Sequence, residues 1–169
     1  YKRQVHGALR HWSTMLERLN TESLPRLPAD VEKPIYDRSR LTPGIVHLGL
    51  GAFHRAHQAV MTDLAMQASG DLSWGILGVS LRSAATRDAL TPQDGLYTLA
   101  LRDGGPDGET REQLRVVGSV LRVMVAEEDP NAVLERIAYP QTRIVSLTVT
   151  EKGYSHEPAT GHLRWDDPD

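Results

Sequence analysis

The feature that most restricts how this chain can fold is a short apolar run, Ile45-Val46-His47-Leu48, that runs straight into Gly49-Leu50-Gly51 and then into a helical repeat. Pro43-Gly44 launches the run, as at the start of a buried parallel strand. After the glycines, Phe53, Ala56, Val60, Leu64 and Ala68 recur at three- to four-residue spacing and stop at Gly70-Asp71, which reads as one helix closed by a C-terminal glycine. Trp74–Val79 supplies a second strand. A strand, a glycine turn, a helix and a parallel strand make a βαβ unit, whose crossover is right-handed.

The rest of the chain extends this pattern. Ser83–Leu90 reads as a short helix. Leu96–Arg102 alternates as a strand before the turn Asp103–Gly108, and Leu114–Ala126 is β-rich with a bend at Gly118, so Leu96–Ala126 is expected to form a hairpin set into the α/β order. Glu127, Glu128 and Asp129 precede Pro130, which suits the first turn of a helix over Asn131–Ala138. Arg143–Thr150 should be another buried strand. The expected fold class is α/β, a Rossmann-type mostly parallel sheet with an inserted β-hairpin and an N-terminal helical arm. Residues 1–43 are read as an extension, with an amphipathic helix over Tyr1–Leu19 (Val5, Leu9, Trp12, Leu16, Leu19) and an arm with prolines at 25, 28, 34 and 43. Residues 44–169 form the Rossmann-like unit.

Composition narrows the function. At 169 residues, 40% apolar and 24% charged, the chain suits one globular domain. It has no cysteine, which excludes a disulfide framework, a thiolate metal site and a cysteine nucleophile, and is compatible with a cytoplasmic setting. No apolar run is long enough to span a bilayer, so no membrane role is expected. The net charge of −3 carries no dense basic stripe, which argues against nucleic acid as a partner and for a small molecule.

In a dinucleotide fold the first glycine of the turn, here Gly49, permits the tight bend. The second, Gly51, lets a pyrophosphate approach the backbone at Ala52 and Phe53. The third glycine of that pattern is absent: His54 stands in its place and must pack differently or face the ligand. Arg55 could neutralise a phosphate or could be a solvated first-turn cation. His54 and His57 share a helix face without a visible third ligand, so no metal site is expected. Asp71 has the sequence spacing of a ribose-binding carboxylate but precedes the second strand, at the wrong end. The strand's true end, Val79-Ser80-Leu81-Arg82-Ser83, has no carboxylate. Ser80 and Arg82 there either meet a 2′-phosphate or face solvent.

The run from Ile45 through Gly49-Leu50-Gly51-Ala52-Phe53-His54-Arg55-Ala56-His57 to Gln58 resembles the opening of the mannitol dehydrogenase family, polyol-specific long-chain dehydrogenases that include fructuronate reductases. Gly78-Val79-Ser80-Leu81-Arg82, Gln93-Asp94-Gly95-Leu96-Tyr97-Thr98 and Ser146–Tyr154 agree with it in order. The resemblance implies NAD or NADP as cofactor and zinc-independent hydride transfer with a sugar alcohol, ketose or hexuronate. It also implies a lysine base, an asparagine and a histidine on a helical C-terminal domain, which this chain is expected to lack. It puts Thr148 and Thr150 beside the nicotinamide, where they could instead be ordinary strand residues, and gives Glu151 an auxiliary catalytic role. Lys152 is an alternative base by residue type, but one residue beyond the glutamate it is expected to face solvent. A non-catalytic nucleotide-binding or interaction module is the alternative.

Overall fold

Pro43–Leu48 forms the first strand, β1, and sits inside a four-stranded, fully parallel sheet. The computed structural model describes residues 17–104, 110–149, 155–157 and 159–165. Besides β1, the sheet contains β2 (Gly75–Ser80), β5 (Val120–Val125) and β6 (Ile144–Leu147), in the spatial order β5-β2-β1-β6. Strands β3 (Tyr97–Gly104) and β4 (Thr110–Val117) pair antiparallel as a separate hairpin. Helices α1 (Ala52–Ala56) and α2 (Gln58–Ser69) connect β1 to β2, α3 (Ala85–Leu90) and the hairpin connect β2 to β5, and α4 (Pro130–Ile137) connects β5 to β6.

Because side chains alternate along a strand, β1 and β2 divide their apolar residues between two cores. Ile45 and Ile76 join Leu50, Ala59, Val60, Leu90, Tyr97 and Val120 on the face covered by α2, α3 and the hairpin. Val46, Leu77 and Val79 meet Val133 of α4 on the other face. Asp129 caps α4 by accepting from the Ala132 N–H at 2.9 Å, and Pro130 occupies its first turn.

Three expectations are corrected. The hairpin ends at Val117, and the residues after Gly118-Ser119 leave it to become β5, hydrogen-bonded in parallel to β2. The helix after the glycine turn is broken at His57 (φ −122°, ψ −84°), which shifts its phase. Its inward face in α2 is therefore Ala59, Val60, Asp63 and Met66, while Phe53 and Leu64 are exposed. Finally, β6 is not buried: among the described strands it pairs with β1 alone, and Ile144, Val145 and Leu147 are exposed because no described element covers that edge. The helix expected over residues 1–19 lies almost wholly outside the described residues.

The arm before β1 is fastened to the domain. Arg38 donates to the carbonyls of Gly118 (3.0 Å), Asp94 (2.7 Å) and Val120 (3.1 Å), and Arg115 pairs with Glu32. Tyr36 donates its hydroxyl proton to Asp63, a buried carboxylate that also accepts from the Gly118 N–H (3.0 Å) and Gln67 Nε2 (2.9 Å). Desolvation raises the Asp63 carboxyl above its ordinary range, against the pull of these donors. Asp63→Ala would leave the Gly118 N–H and the Tyr36 hydroxyl without their acceptor, so it should lower unfolding stability by on the order of 3 kcal/mol. Urea denaturation checks this, and a midpoint equal to wild type would contradict it.

Candidate functional site

The glycine turn lies where β1 meets α1, at the carboxyl edge of the parallel sheet. Gly49 has φ +91°, a left-handed backbone conformation that a side chain would strain. The N–H groups of Gly49 (2.8 Å) and Leu50 (3.2 Å) both donate to the Val79 carbonyl, holding the turn against the end of β2. Leu50 is buried and lies over Gly78, where an added Cβ would fall 2.4 Å from its Cδ2. Gly51 has the opposite surroundings: the nearest atom an added Cβ would meet is the Gly49 carbonyl oxygen, at 3.8 Å. The turn thus presses one side onto the sheet and leaves the other open. Ala52, Phe53 and His54 follow as the first turn of α1, whose N–H groups have no acceptor within the helix.

His54 points into the protein. It is 2% exposed, and its ring stacks on that of His47 from β1 with centroids 3.6 Å apart and planes 19° apart. The missing third glycine is therefore accommodated by packing against a second histidine. His47 Nδ1 lies 2.9 Å from Ser146 Oγ and its Nε2 lies 3.0 Å from Thr148 Oγ1, so this ring ties β1 to the end of β6. Ser146 Oγ is also 3.3 Å from the Gln58 amide. Among the described residues, neither ring nitrogen of His54 has a hydrogen-bond partner. Burial, then the neighbouring His47 and Arg55, push its pKa down to about 3, and burial also lowers that of His47. Both rings are neutral at pH 7.

Above this pair opens a cleft of about 280 Å³, lined by His47, Phe53, His54, His57, Gln58 and the segment Leu147–Val149. It sits between β1 and β6. Successive strands run outward from β1 through β2 to β5, and then the order reverses to place β6 on the other side of β1. Open α/β sheets bind ligands in the crevice at such a reversal.

Most of the residues singled out from sequence meet at this edge, with different exposures. Gly51, Ala52 and Phe53 are exposed, and Phe53 stacks on His57 at 4.3 Å. Arg55 is half-buried and donates from Nη1 to the Leu50 carbonyl at 3.1 Å, bracing the glycine turn. Ser80 is buried at the end of β2, where its carbonyl accepts from the Ala126 N–H, and Arg82 is exposed just beyond. Thr148 continues β6, its N–H donating to the Leu48 carbonyl at 3.1 Å. Asp71 lies at the opposite end of β2, in a turn with Ser73 and Trp74. Thr150, Glu151 and Lys152 lie outside the described residues. Sequence reasoning overlooked His47, Ser146 and Gln58. A histidine inside an otherwise apolar strand was the available signal for the first.

Comparison with known proteins agrees with this geometry. The family described as the mannitol dehydrogenase Rossmann domain matches residues 43–164. Mannitol dehydrogenase 2 of Saccharomyces cerevisiae is 44% identical over 153 residues, covering 89% of this chain and 30% of that protein. Mannitol 2-dehydrogenase of Pyricularia oryzae is 42% identical over 161 residues, covering 92% of this chain and 31% of that protein. Among solved structures, the Pseudomonas fluorescens mannitol 2-dehydrogenase ternary complex with NAD and D-mannitol superposes with a TM-score of 0.75 at 40% identity, covering 86% of this chain and 29% of that one. A substrate-free D-sorbitol dehydrogenase gives 0.73 at 35% identity, covering 89% of this chain and 31% of that one. The chain thus spans about 30% of the length of these relatives.

The stacked histidines make stability depend on pH. Their folded pKa values lie below the ordinary value of 6.5, so the unfolded chain binds more protons in the window between. Stability is fully present above about pH 6.5 and falls as the pH drops towards 3. Taking wild type from pH 7 to 5.5 should cost about 1 kcal/mol through His54 alone. Urea midpoints of His54→Phe should fall less over that range. An identical pH slope in the variant would contradict the assignment.

Proposed function

Because the chain belongs to the mannitol dehydrogenase family, we propose that it carries the nicotinamide-dinucleotide site of an oxidoreductase acting on a polyol. The observation that carries this reading is the pairing of the glycine turn with the cleft at the strand-order reversal, one open at Gly51 and the other beside Thr148. The residues present fit a dinucleotide. Its pyrophosphate would lie against the open side of Gly49–Gly51 and the N–H groups of Ala52 and Phe53, with Arg55 bracing the turn and adding positive charge. The nicotinamide end would be held by the β6 side of the cleft, where Thr148 is oriented by His47. Ser80 and Arg82 mark the adenosine end.

When bound, the nicotinamide supplies or accepts the hydride. This chain's own residues would bind and orient it, with the stacked, uncharged His47 and His54 forming the floor of the cleft. The substrate is a sugar alcohol, mannitol by the relatives' example, or its ketose, with a hexuronate as the variant that the sequence resemblance adds. The lysine base, asparagine and histidine implied by the family are assigned to no residue of this chain. Glu151 is proposed as an auxiliary carboxylate that tunes that lysine. Among the described residues no three His, Asp or Glu side chains gather as a metal site, and no helix is long and apolar enough to cross a membrane. A cytoplasmic setting belongs to the same proposal, since a chain without cysteine needs no oxidising compartment.

Gly51→Val tests the phosphate site. An added Cβ meets nothing closer than the Gly49 carbonyl oxygen at 3.8 Å, so thermal unfolding should match wild type, while NADH affinity measured by fluorescence titration should fall at least about tenfold because the branched group would occupy the pyrophosphate's place. Unchanged affinity would move the site elsewhere. In the complete enzyme, Glu151→Gln should slow turnover and alter the pH–rate profile with little loss of cofactor affinity. A wild-type profile would make Glu151 structural.

A further inference from the structure

We propose that His47 is a positioning residue of this site, acting through the Thr148 hydroxyl to orient the carboxamide of the nicotinamide. This rests on the reading of the cleft as part of a dinucleotide site. His47 lies inside the aliphatic run of β1, is 2% exposed, and is in register with Ser146 of β6. Side chains alternate along a strand, so Ser146 and Thr148, two residues apart, fall on one face. His47 Nδ1 meets Ser146 Oγ at 2.9 Å, and its Nε2 meets Thr148 Oγ1 at 3.0 Å. Ser146 Oγ in turn lies 3.3 Å from both the nitrogen and the oxygen of the Gln58 amide. Gln58, Ser146, His47 and Thr148 thus form one chain of hydrogen bonds running from α2 across β6 and β1. Its last member, Thr148, lines the cleft.

Three observations give the ring this task. First, the Thr148 backbone is already fixed, its N–H donating to the Leu48 carbonyl at 3.1 Å, so what remains to be set is the direction of its hydroxyl. Second, His54 stacks on the His47 ring with centroids 3.6 Å apart and, among the described residues, has no hydrogen bond of its own. It holds the plane of the ring without competing for its nitrogens. Third, burial lowers the pKa of His47, and a neutral imidazole carries one N–H and one bare nitrogen. The two hydroxyls therefore play opposite parts. When Nε2 carries the proton it donates to Thr148, whose own O–H is left for a carbonyl in the cleft. When Nδ1 carries it, Thr148 gives its proton to Nε2 and offers lone pairs to an amide N–H. The Gln58 amide serves the far end in either direction, because its nitrogen donates and its oxygen accepts. A carboxamide presents one group of each kind, so the chain can meet it in either direction, and without the ring the Thr148 hydroxyl would rotate freely.

Titration of the intact chain with NADH and with ADP-ribose, which lacks the nicotinamide, tests the proposal. His47→Phe keeps a flat ring against His54 and removes both nitrogens. It should weaken NADH about fivefold while leaving ADP-ribose within about twofold of wild type. The fluorescence lifetime of bound NADH should shorten as its nicotinamide gains freedom. Thr148→Val should weaken NADH to the same extent, and the double variant should lose no more than either single one, because the two residues act as a unit. Ser146→Ala, on the edge strand, releases the other end of the ring and should give a smaller loss of the same kind, which tests the chain even if circular dichroism shows His47→Phe unfolded. A parallel loss of both ligands, unchanged NADH affinity in these variants, additive losses in the double variant, or a wild type that binds NADH no more tightly than ADP-ribose would overturn the role of His47 and leave the dinucleotide site standing. Binding of neither ligand by wild type would overturn both.

Discussion

The carboxyl edge of the sheet depends on how closely the Gly49–Gly51 turn is held against β2. A single carbonyl, that of Val79, accepts from two successive N–H groups of the turn, and the Leu50 side chain fills the space left by the missing side chain of Gly78. Gly49 supplies the left-handed bend that makes this possible. Three residue types are fixed by one contact: glycine where the chain turns, glycine where the strand is covered, and a large apolar residue between the two turn glycines. The open side of Gly51 is a consequence, since the turn is anchored from the opposite side.

The stacked pair of His47 and His54 does for the β6 side of the site what Leu50 does for the β2 side. One histidine stands where dinucleotide folds place a small residue for close helix–strand packing, and the other stands inside a strand of aliphatic neighbours. Their rings fill the gap between α1 and the sheet, and the two nitrogens of His47 reach Ser146 and Thr148. The helix, β1 and β6 are thereby joined below the cleft. Among the described residues neither nitrogen of His54 finds a hydrogen-bond partner, at the place where the fold meets its candidate ligand.

Much of this was legible in the sequence because it depends on local chemistry. The apolar run of β1, the glycine turn, the Gly70 stop and the Asp129-Pro130 start of α4 each announce themselves within a few residues. The elements that misled depend on non-local packing. The apolar repeat from Phe53 to Ala68 implied one continuous face, but the break at His57 turned Phe53 outward and brought Ala59 and Asp63 inward. Val120–Val125 carries the same β-rich composition as β4, and only its pairing with β2 separates sheet from hairpin. Strand β6 reads as buried because its residues are aliphatic, although it occupies the sheet's edge. At the site, sequence placed the glycines, Ser80, Arg82 and Thr148 on one edge. It could not show that His54 faces inward, because the partner that holds it there, His47, lies on another element and only the fold brings the two rings together.

The account turns on where a dinucleotide binds, and backbone amide shifts recorded by NMR during titration of the chain with NADPH or NADH test that location residue by residue. Binding at the carboxyl edge should move the amides of Gly49–Arg55, Ser80–Arg82 and Thr148 while leaving the β3–β4 hairpin strands and the Asp71–Trp74 turn at the opposite end of β2 unmoved. Shifts centred on the hairpin or on the Asp71 end of the sheet, with Gly49–Arg55 silent, would contradict it.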